Sequence, residues 1–414
     1  MNQKSQKVVR TYVLLTLLNT LSSSLIWGIN TLFLLDAGLT NAQAFTANAF
    51  FTLGMVLFEI PTGVVADLRG RKLSFMLGAF TLFVTTLLYY LLWQIEGAFW
   101  MWASVSALLG LGFTFFSGAM EAWLVDALNY TKFKGSMESV FAKGQVTAGI
   151  AMLSGSVAGG IIAQATNLGV PFILRGILLL TTFVVAYFVM HDIGFKADTK
   201  TKATKHMKKI LSASIDHGLK KPSVRWVMLA APFSAGVGVF AFYALQPYLL
   251  ELYGDQEAYS IAGLAAAIVA GAQIGGGLLV NQIRKLFTSR TTALMSGALV
   301  SAGALLLFGL LSNFYVALFA IVIWAMMFSA VGPIRQTYLN KQIPSEQRAT
   351  VLSFDSLIAS TGGVVSQPVL GRVADVYSYS TTYVISAGVQ LVALPFMYAA
   401  KRTNSPADPI EKTD

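Results

Sequence analysis

The feature that most constrains this chain is the recurrence of long apolar runs. Twelve occur, near residues 11–35, 45–66, 73–93, 99–126, 139–163, 171–190, 225–250, 260–283, 291–311, 314–336, 350–370 and 381–400. A helix needs about 20 mostly apolar residues to cross the hydrocarbon core of a bilayer. Spanning strands would be shorter and would alternate in polarity, which these runs do not. The composition agrees. Charged residues make up 12% of the chain and the mean hydropathy is +0.65, against about 25% charged in a soluble protein. A soluble enzyme, a nucleic-acid-binding protein and a disordered chain are thereby excluded. With no cysteine, disulfides, thiolate nucleophiles and Cys-ligated metals are excluded too. The first run is too long for a cleaved signal peptide, and no small-residue cleavage site precedes a polar domain.

The net charge of +10 has a placement that explains it. If the N-terminus is cytoplasmic and the runs alternate, every Lys and Arg except Arg175 and Arg372 falls on the cytoplasmic side. That is positive-inside bias, not a polyanion site. The expected location is a bacterial inner membrane, crossed many times, with both termini cytoplasmic.

One polar stretch interrupts the pattern. It divides the chain into a six-helix bundle over 1–190, a linker over 191–222 and a second six-helix bundle over 223–414. Met207, Ile210, Leu211, Ile215 and Leu219 share one helical face opposite Lys205, Lys208 and Lys209. This predicts either an amphipathic helix on the inner leaflet or a solvated linker. The bundles read as repeats. Gly63-Val-Val-Ala-Asp67-Leu-Arg-Gly-Arg71 matches Gly277-Leu-Leu-Val-Asn281-Gln-Ile-Arg-Lys285 at an offset of 214, and Gly160 matches Gly371 at 211.

The segment Gly63-Val-Val-Ala66-Asp67-Leu68-Arg69-Gly70-Arg71-Lys72 resembles the G-x-L-a-D-r-x-G-R-K loop of the major facilitator superfamily, with Val65 for Leu and Leu68 where a basic residue is usual. Glu59-Ile-Pro61-Thr62 and Ile343-Pro344-Ser345-Glu346-Gln-Arg348-Ala349-Thr350 resemble the drug:proton antiporter branch. The resemblance covers the whole chain. It implies an all-α membrane fold of twelve helices in two pseudo-symmetric bundles that alternate access to a midplane site. It also implies proton-coupled efflux of hydrophobic or amphipathic small molecules. The alternatives are a facilitator or symporter of a specific metabolite, or a lipid flippase. The expected partners are small-molecule substrate, protons and membrane lipid, with no nucleic acid; a monomer is expected. No cofactor, metal site or enzymatic activity is expected, and the ATP-binding pattern G-x-x-x-x-G-K-[ST] does not occur.

The resemblance assigns Gly63, Asp67, Gly70, Arg71 and Asp126 a conformational lock. Asp67 and Arg71 stand i,i+4 across a tight turn and can pair, which a simple basic turn also explains. Gly155-Ser156-Val-Ala-Gly159-Gly160 is similar to the antiporter motif G-P-x-x-G-G, with Ser156 in place of Pro. Helix packing alone also accounts for such glycines. The fourth run lacks the Arg that drug antiporters carry.

Ionisable groups inside a membrane are costly and point to function. Glu59 lies eight residues before Asp67, roughly 12 Å inward, with no evident cationic partner. Glu59 and Glu121 are the candidates for ion coupling. Glu121 and Lys143 mirror Arg335 and Asp355 with inverted charge, which predicts within-bundle pairs Glu121–Lys143 and Arg335–Asp355. Pairing of Glu121 with Arg335 is the rival. Tyr12, Thr16, Asn19, Ser23, Trp27 and Asn30 form a polar stripe on the first helix, and such a stripe must face a cavity or another helix. With the superfamily's cavity-lining helices, this makes Asn19, Trp27, Asn30, Phe116, Met120, Phe240, Tyr243 and Gln246 the candidate substrate contacts.

Overall fold

The computed structural model describes residues 3–195, 215–344 and 347–410. Among them the regular structure is helical. The helices are α1 (Gln3–Trp27), α2 (Asn30–Asp36), α3 (Asn41–Arg69), α4 (Arg71–Gln94), α5 (Phe99–Phe116), α6 (Ala119–Tyr130), α7 (Met137–Ala165) and α8 (Gly169–Val189). After one π-helical turn at Ile215–Leu219 come α9 (Pro222–Tyr253), α10 (Tyr259–Leu278), α11 (Val280–Lys285), α12 (Arg290–Leu310), α13 (Phe314–Asn340), α14 (Arg348–Val376) and α15 (Tyr379–Arg402). Eleven spans among the described residues are long and apolar enough to cross a membrane, with α5 and α6 taken as one. The remaining apolar run, the eleventh in chain order, is α14, which carries Asp355, Arg372 and Asp375 along its 29 residues.

Three of the apolar runs are not single helices. The first breaks at Gly28–Ile29, the fourth at Ser117–Gly118 and the eighth at Leu279. At the second break Gly118 takes φ +67° with open space where a side chain would stand. The N–H of Ser117 closes α5 on Phe113 O at 3.3 Å, and a new ladder starts from Gly118 O. Glycine adopts this left-handed backbone without the penalty any other residue meets. Periodicity of apolar residues does not register such a break, because the face is preserved across it.

The chain forms two compact units. Unit 1 holds the described parts of 1–39, 50–203 and 257–267; unit 2 holds those of 40–49, 204–256 and 268–414. In unit 1, α1 packs on α7 and α8, and α4 on α5 and α8. Tyr12, Leu15, Phe75, Trp123 and Leu124 are buried in its core. In unit 2, α9 packs on α14 and α15, and α12 on α13 and α15. Large apolar side chains such as Leu57, Trp100, Phe188, Leu278 and Phe319 point outward, as a lipid-facing surface requires. Only Ile215 and Leu219 of the sequence-read amphipathic face belong to described residues, in the π turn; its 205–211 part lies outside them.

Close approach of α7 to α1 explains the glycine-rich segment. A Cβ on Gly155 would strike Ser24 Oγ, and one on Gly159 would strike the carbonyl of Leu25. Ser24 Oγ in turn donates to Ala151 O at 3.0 Å. Gly159→Ala must push the α1 backbone away, which we expect to destabilise the protein by about 1–3 kcal/mol. Gly303→Ala, whose Cβ meets open space, is the control and leaves the melting temperature unchanged. Thermal unfolding of the purified variants in detergent measures both.

Candidate functional site: a cavity beside a broken helix

Unit 1 contains a cavity of about 440 Å³. The polar stripe of α1 supplies Tyr12, Thr16 and Asn19, while α7 supplies Gln145. The α5–α6 junction supplies Phe116, Ser117, Met120 and Glu121. Gly144 must be glycine because the Tyr12 phenol occupies the place of a side chain. Phe75 and Phe116 meet edge to face at 4.7 Å between centroids. Glu121 stands in the first turn of α6 and is exposed into this space. It forms no ion pair among the described residues, and neither does Lys143, whose side chain is exposed. The expected Glu121–Lys143 pair is therefore not made. Glu121 opens into the cavity instead.

Glu59 reaches the same junction from α3. Ser117 Oγ donates to Glu59 Oε1 at 2.7 Å. Its partner is thus a hydroxyl on the broken segment. Pro61, inside α3, removes a backbone N–H two residues on, and Thr62 Oγ1 donates to Phe58 O at 2.8 Å.

Other expected residues are placed differently. Phe240 is fully buried between Phe45 and Tyr383, and Gln246 is buried. Neither they nor Trp27, Asn30 and Tyr243 line the unit 1 cavity or the smaller one of about 200 Å³ in unit 2. The latter is walled by Ala231, Gly297, Phe328 and Gln390 with Arg335 at its edge. Phe240 packs on rings instead of facing a cavity because aromatic periodicity does not distinguish a core face from a wet one.

Arg335 and Asp355 form a bidentate pair. Arg335 Nη1 and Nη2 donate to Asp355 Oδ2 and Oδ1 at 2.7 and 2.6 Å, and Nη2 also donates to Val227 O at 3.3 Å. Asp355 is only 5% exposed. Cutting Asp355 back to alanine strands a guanidinium, which we expect to cost about 3–5 kcal/mol. Replacing both residues by leucine recovers most of that loss in the same thermal melts.

At the α3–α4 turn Arg71 Nη1 pairs with Asp67 Oδ1 at 2.7 Å. Asp126 joins no ion pair among the described residues, so the three-residue cluster is a two-residue pair. Gly63 stands in open space, and Gly70 has φ +104°.

The profile of the Major Facilitator Superfamily matches residues 12–366. The chain belongs to this superfamily. It is 22% identical over 357 residues to an uncharacterised MFS-type transporter of Methanocaldococcus jannaschii, covering 86% of this chain and 88% of that one. Identity to the uncharacterised MFS-type transporter YxaM of Bacillus subtilis is 23% over 362 residues, 84% of each chain. In fold it is similar to the nucleoside transporter NupG, with a TM-score of 0.78 at 12% identity over 97% of this chain and 100% of that one. A bacterial homologue of the human lysosomal transporter Spinster gives 0.75 at 16% identity, over 97% and 98%.

In this superfamily member the signature turn is fastened by a residue that sequence reading missed. Asp192 Oδ1 accepts the N–H of Lys72 at 2.8 Å. A Cβ on Gly70 would strike the other oxygen. Lys72 Nζ donates to Tyr187 O at 2.6 Å, and Trp123 Nε1 donates to His191 O at 2.7 Å. In unit 2 Asp408 does the same for α12: it accepts from Thr291 N and Thr291 Oγ1, both at 2.8 Å. Each acid follows the last helix of its half and caps the third long helix. An acid just beyond the sixth and twelfth apolar runs is the signal that would have found them.

Burial pushes the Asp192 carboxyl above the usual carboxylate range, against the opposing pull of the Lys72 and Arg71 backbone and charges. A raised carboxyl in the folded state stabilises the fold below its ordinary pKa and loses that contribution as pH rises through the raised value. Asp192→Asn removes the titration and keeps an acceptor for Lys72. We expect its melting temperature to gain on the parent as pH climbs from 4 toward 7, then run parallel to it.

Proposed function

We propose that this superfamily member is a proton-coupled secondary transporter that exports amphipathic small molecules with a cationic or hydrogen-bond-donating head. The observation that carries this is the unit 1 cavity, where an exposed Glu121 without an ion-pair partner stands among Tyr12, Phe75 and Phe116. A carboxylate and aromatic rings together favour an organic cation. The polar faces of Thr16, Asn19 and Gln145 supply further acceptors. Glu121 can hold either a proton or the substrate's head, which links the two. Glu59 extends the link to the helix break. Ionised, it accepts from Ser117 in a charge-assisted bond; protonated, it gains an O–H donor and that bond weakens to a neutral one.

The basic ends of the helices face the cytoplasm, so both termini do, in a bacterial inner membrane. Asp67 and Arg71, with Gly63, Gly70 and Asp126 beside them, serve as the lock, and the 191–222 segment joins the two six-helix bundles. Arg335–Asp355 is a brace inside the second bundle that persists through the cycle. The protein acts as a monomer in contact with membrane lipid.

A second reading rests on the polarity of the same cavity. Its hydroxyl and amide groups also suit an uncharged polyhydroxyl metabolite, as the likeness to a nucleoside transporter allows, moved by facilitation or symport. Proteoliposomes with an imposed pH gradient decide between them. For export by antiport we expect gradient-driven accumulation of tetraphenylphosphonium, reduced at least tenfold by Glu121→Gln. Glu59→Gln keeps binding and loses the accumulation. Equilibration of uridine without regard to the gradient, and no movement of the cation, would make the protein a facilitator.

A further inference from the structure

Two helices begin in one unit and continue in the other. The first turns of α3, residues 40–49, belong to unit 2, and those of α10, 257–267, belong to unit 1. Each start rests on the end of a helix that shares its unit.

In unit 2 the rest is the end of α14. A Cβ on Gly371 would lie 2.9 Å from Asn41 O and 3.0 Å from Phe45 Cβ. One turn on, Asp375 Oδ1 accepts the N–H of Asn41 at 2.8 Å and Oδ2 accepts that of Ala42 at 2.9 Å. The Tyr379 hydroxyl donates to Asn41 Oδ1. Thr40 and Gln43 already cap each other, with Gln43 N–H on Thr40 Oγ1 at 3.3 Å and Thr40 N–H on Gln43 Oε1 at 3.0 Å. Asp375 thus takes the donors that the local cap leaves over.

In unit 1 the rest is the end of α7. A Cβ on Gly160 would lie 2.6 Å from Tyr259 O and 2.9 Å from Gly263 Cα. One turn on, Gln164 Oε1 accepts the N–H of Ser260 at 3.4 Å. Gln164 and Asp375 stand 211 residues apart, the offset that also relates Gly160 to Gly371. The two seats are therefore the same repeat position, with one difference. One is a carboxylate holding two N–H groups at short range, and the other a neutral amide holding one at long range.

A helix start carries partial positive charge on its free N–H groups. Hydrogen bonds to an ionised acceptor are about twice as strong as neutral ones. We propose that Asp375 is the positioning residue that keeps the first turn of α3 seated in unit 2, and that its charge sets the resting balance between seated and released states. The α10 start, on neutral Gln164, is held less firmly, so the cycle is asymmetric although the fold is not. This rests on the transporter reading, since release of the turn is a step of that cycle.

The test uses the absence of native cysteine. Spin labels at Gln94→Cys and Ser312→Cys, both exposed, report distance distributions in the full-length protein in liposomes. Asp375→Asn should raise the ratio of the long-distance to the short-distance population about tenfold without lowering the melting temperature. Asp375→Glu should restore the parental ratio. Gln164→Glu should lower the ratio severalfold. An unmoved ratio in Asp375→Asn, or a single population in every variant, overturns the proposal. If Asp375→Asn does not fold, Gln164→Glu decides alone, and an unchanged ratio there overturns it. Gradient-driven transport by the parent is measured alongside. Its absence with the shift intact removes the transporter reading, while its presence with unmoved distances removes the latch.

Discussion

Every backbone N–H and C=O within a bilayer must find a partner inside the protein, and the rest of this structure depends on that constraint. It dictates helices for the apolar runs. It also dictates where a helix can stop partway. The α5–α6 break leaves polar backbone at depth, and it lies on the wall of the unit 1 cavity, where Ser117 and Gly118 line the space and Glu59 accepts the Ser117 hydroxyl. The break is tolerated because it borders a cavity and its hydroxyl is paired. The Glu59 carboxylate is thus joined to the junction of the broken helix by one hydrogen bond.

Charge follows the same logic of local surroundings. Asp355 is buried, and Arg335 compensates its charge in a bidentate pair. Glu121 holds the mirrored place of Arg335 in the repeat, yet it opens into the cavity and forms no ion pair among the described residues. Burial of the acid separates the paired position from the one that opens into a cavity, despite the shared architecture.

The fold was legible in the sequence because it repeats: twelve apolar lengths, one basic side and the Gly63–Lys72 turn each leave a pattern that one chain displays. Parts of the site were legible for the same reason. Asn19, Phe116 and Met120, read as cavity residues, and Glu121, read as an ion-coupling residue, all line one cavity. Asp192, Asp375 and Asp408 were not, because each acts through one or two hydrogen bonds from residues more than 100 positions away. A lone acid at such a distance leaves no period to read. Trp27, Phe240 and Gln246 line neither of the two cavities described above. They sit on faces with the right periodicity, but which face is wet depends on packing that periodicity does not contain.

The three acids share one physical role. A helix start presents four free N–H groups. At α7, α13 and α15 a local Ser136, Asn313 or Ser378 side chain takes one or two of them. At α4, where Gly70 offers no side chain, the acceptor comes from Asp192 beyond α8. At α12 and α3 a local cap is supplemented by Asp408 and Asp375. A helix that caps itself keeps its first turn wherever it moves. A helix capped by another part of the chain is tied to that part's position. Asp192 and Asp408 tie α4 and α12 to the chain that follows the last helix of their own halves, which makes each half stiffer. Asp375 ties the first turn of α3 to a different unit from the remainder of that helix. The same bond chemistry therefore ties a helix within its own half in two places, and in the third it holds the start of a helix whose remainder belongs to another unit.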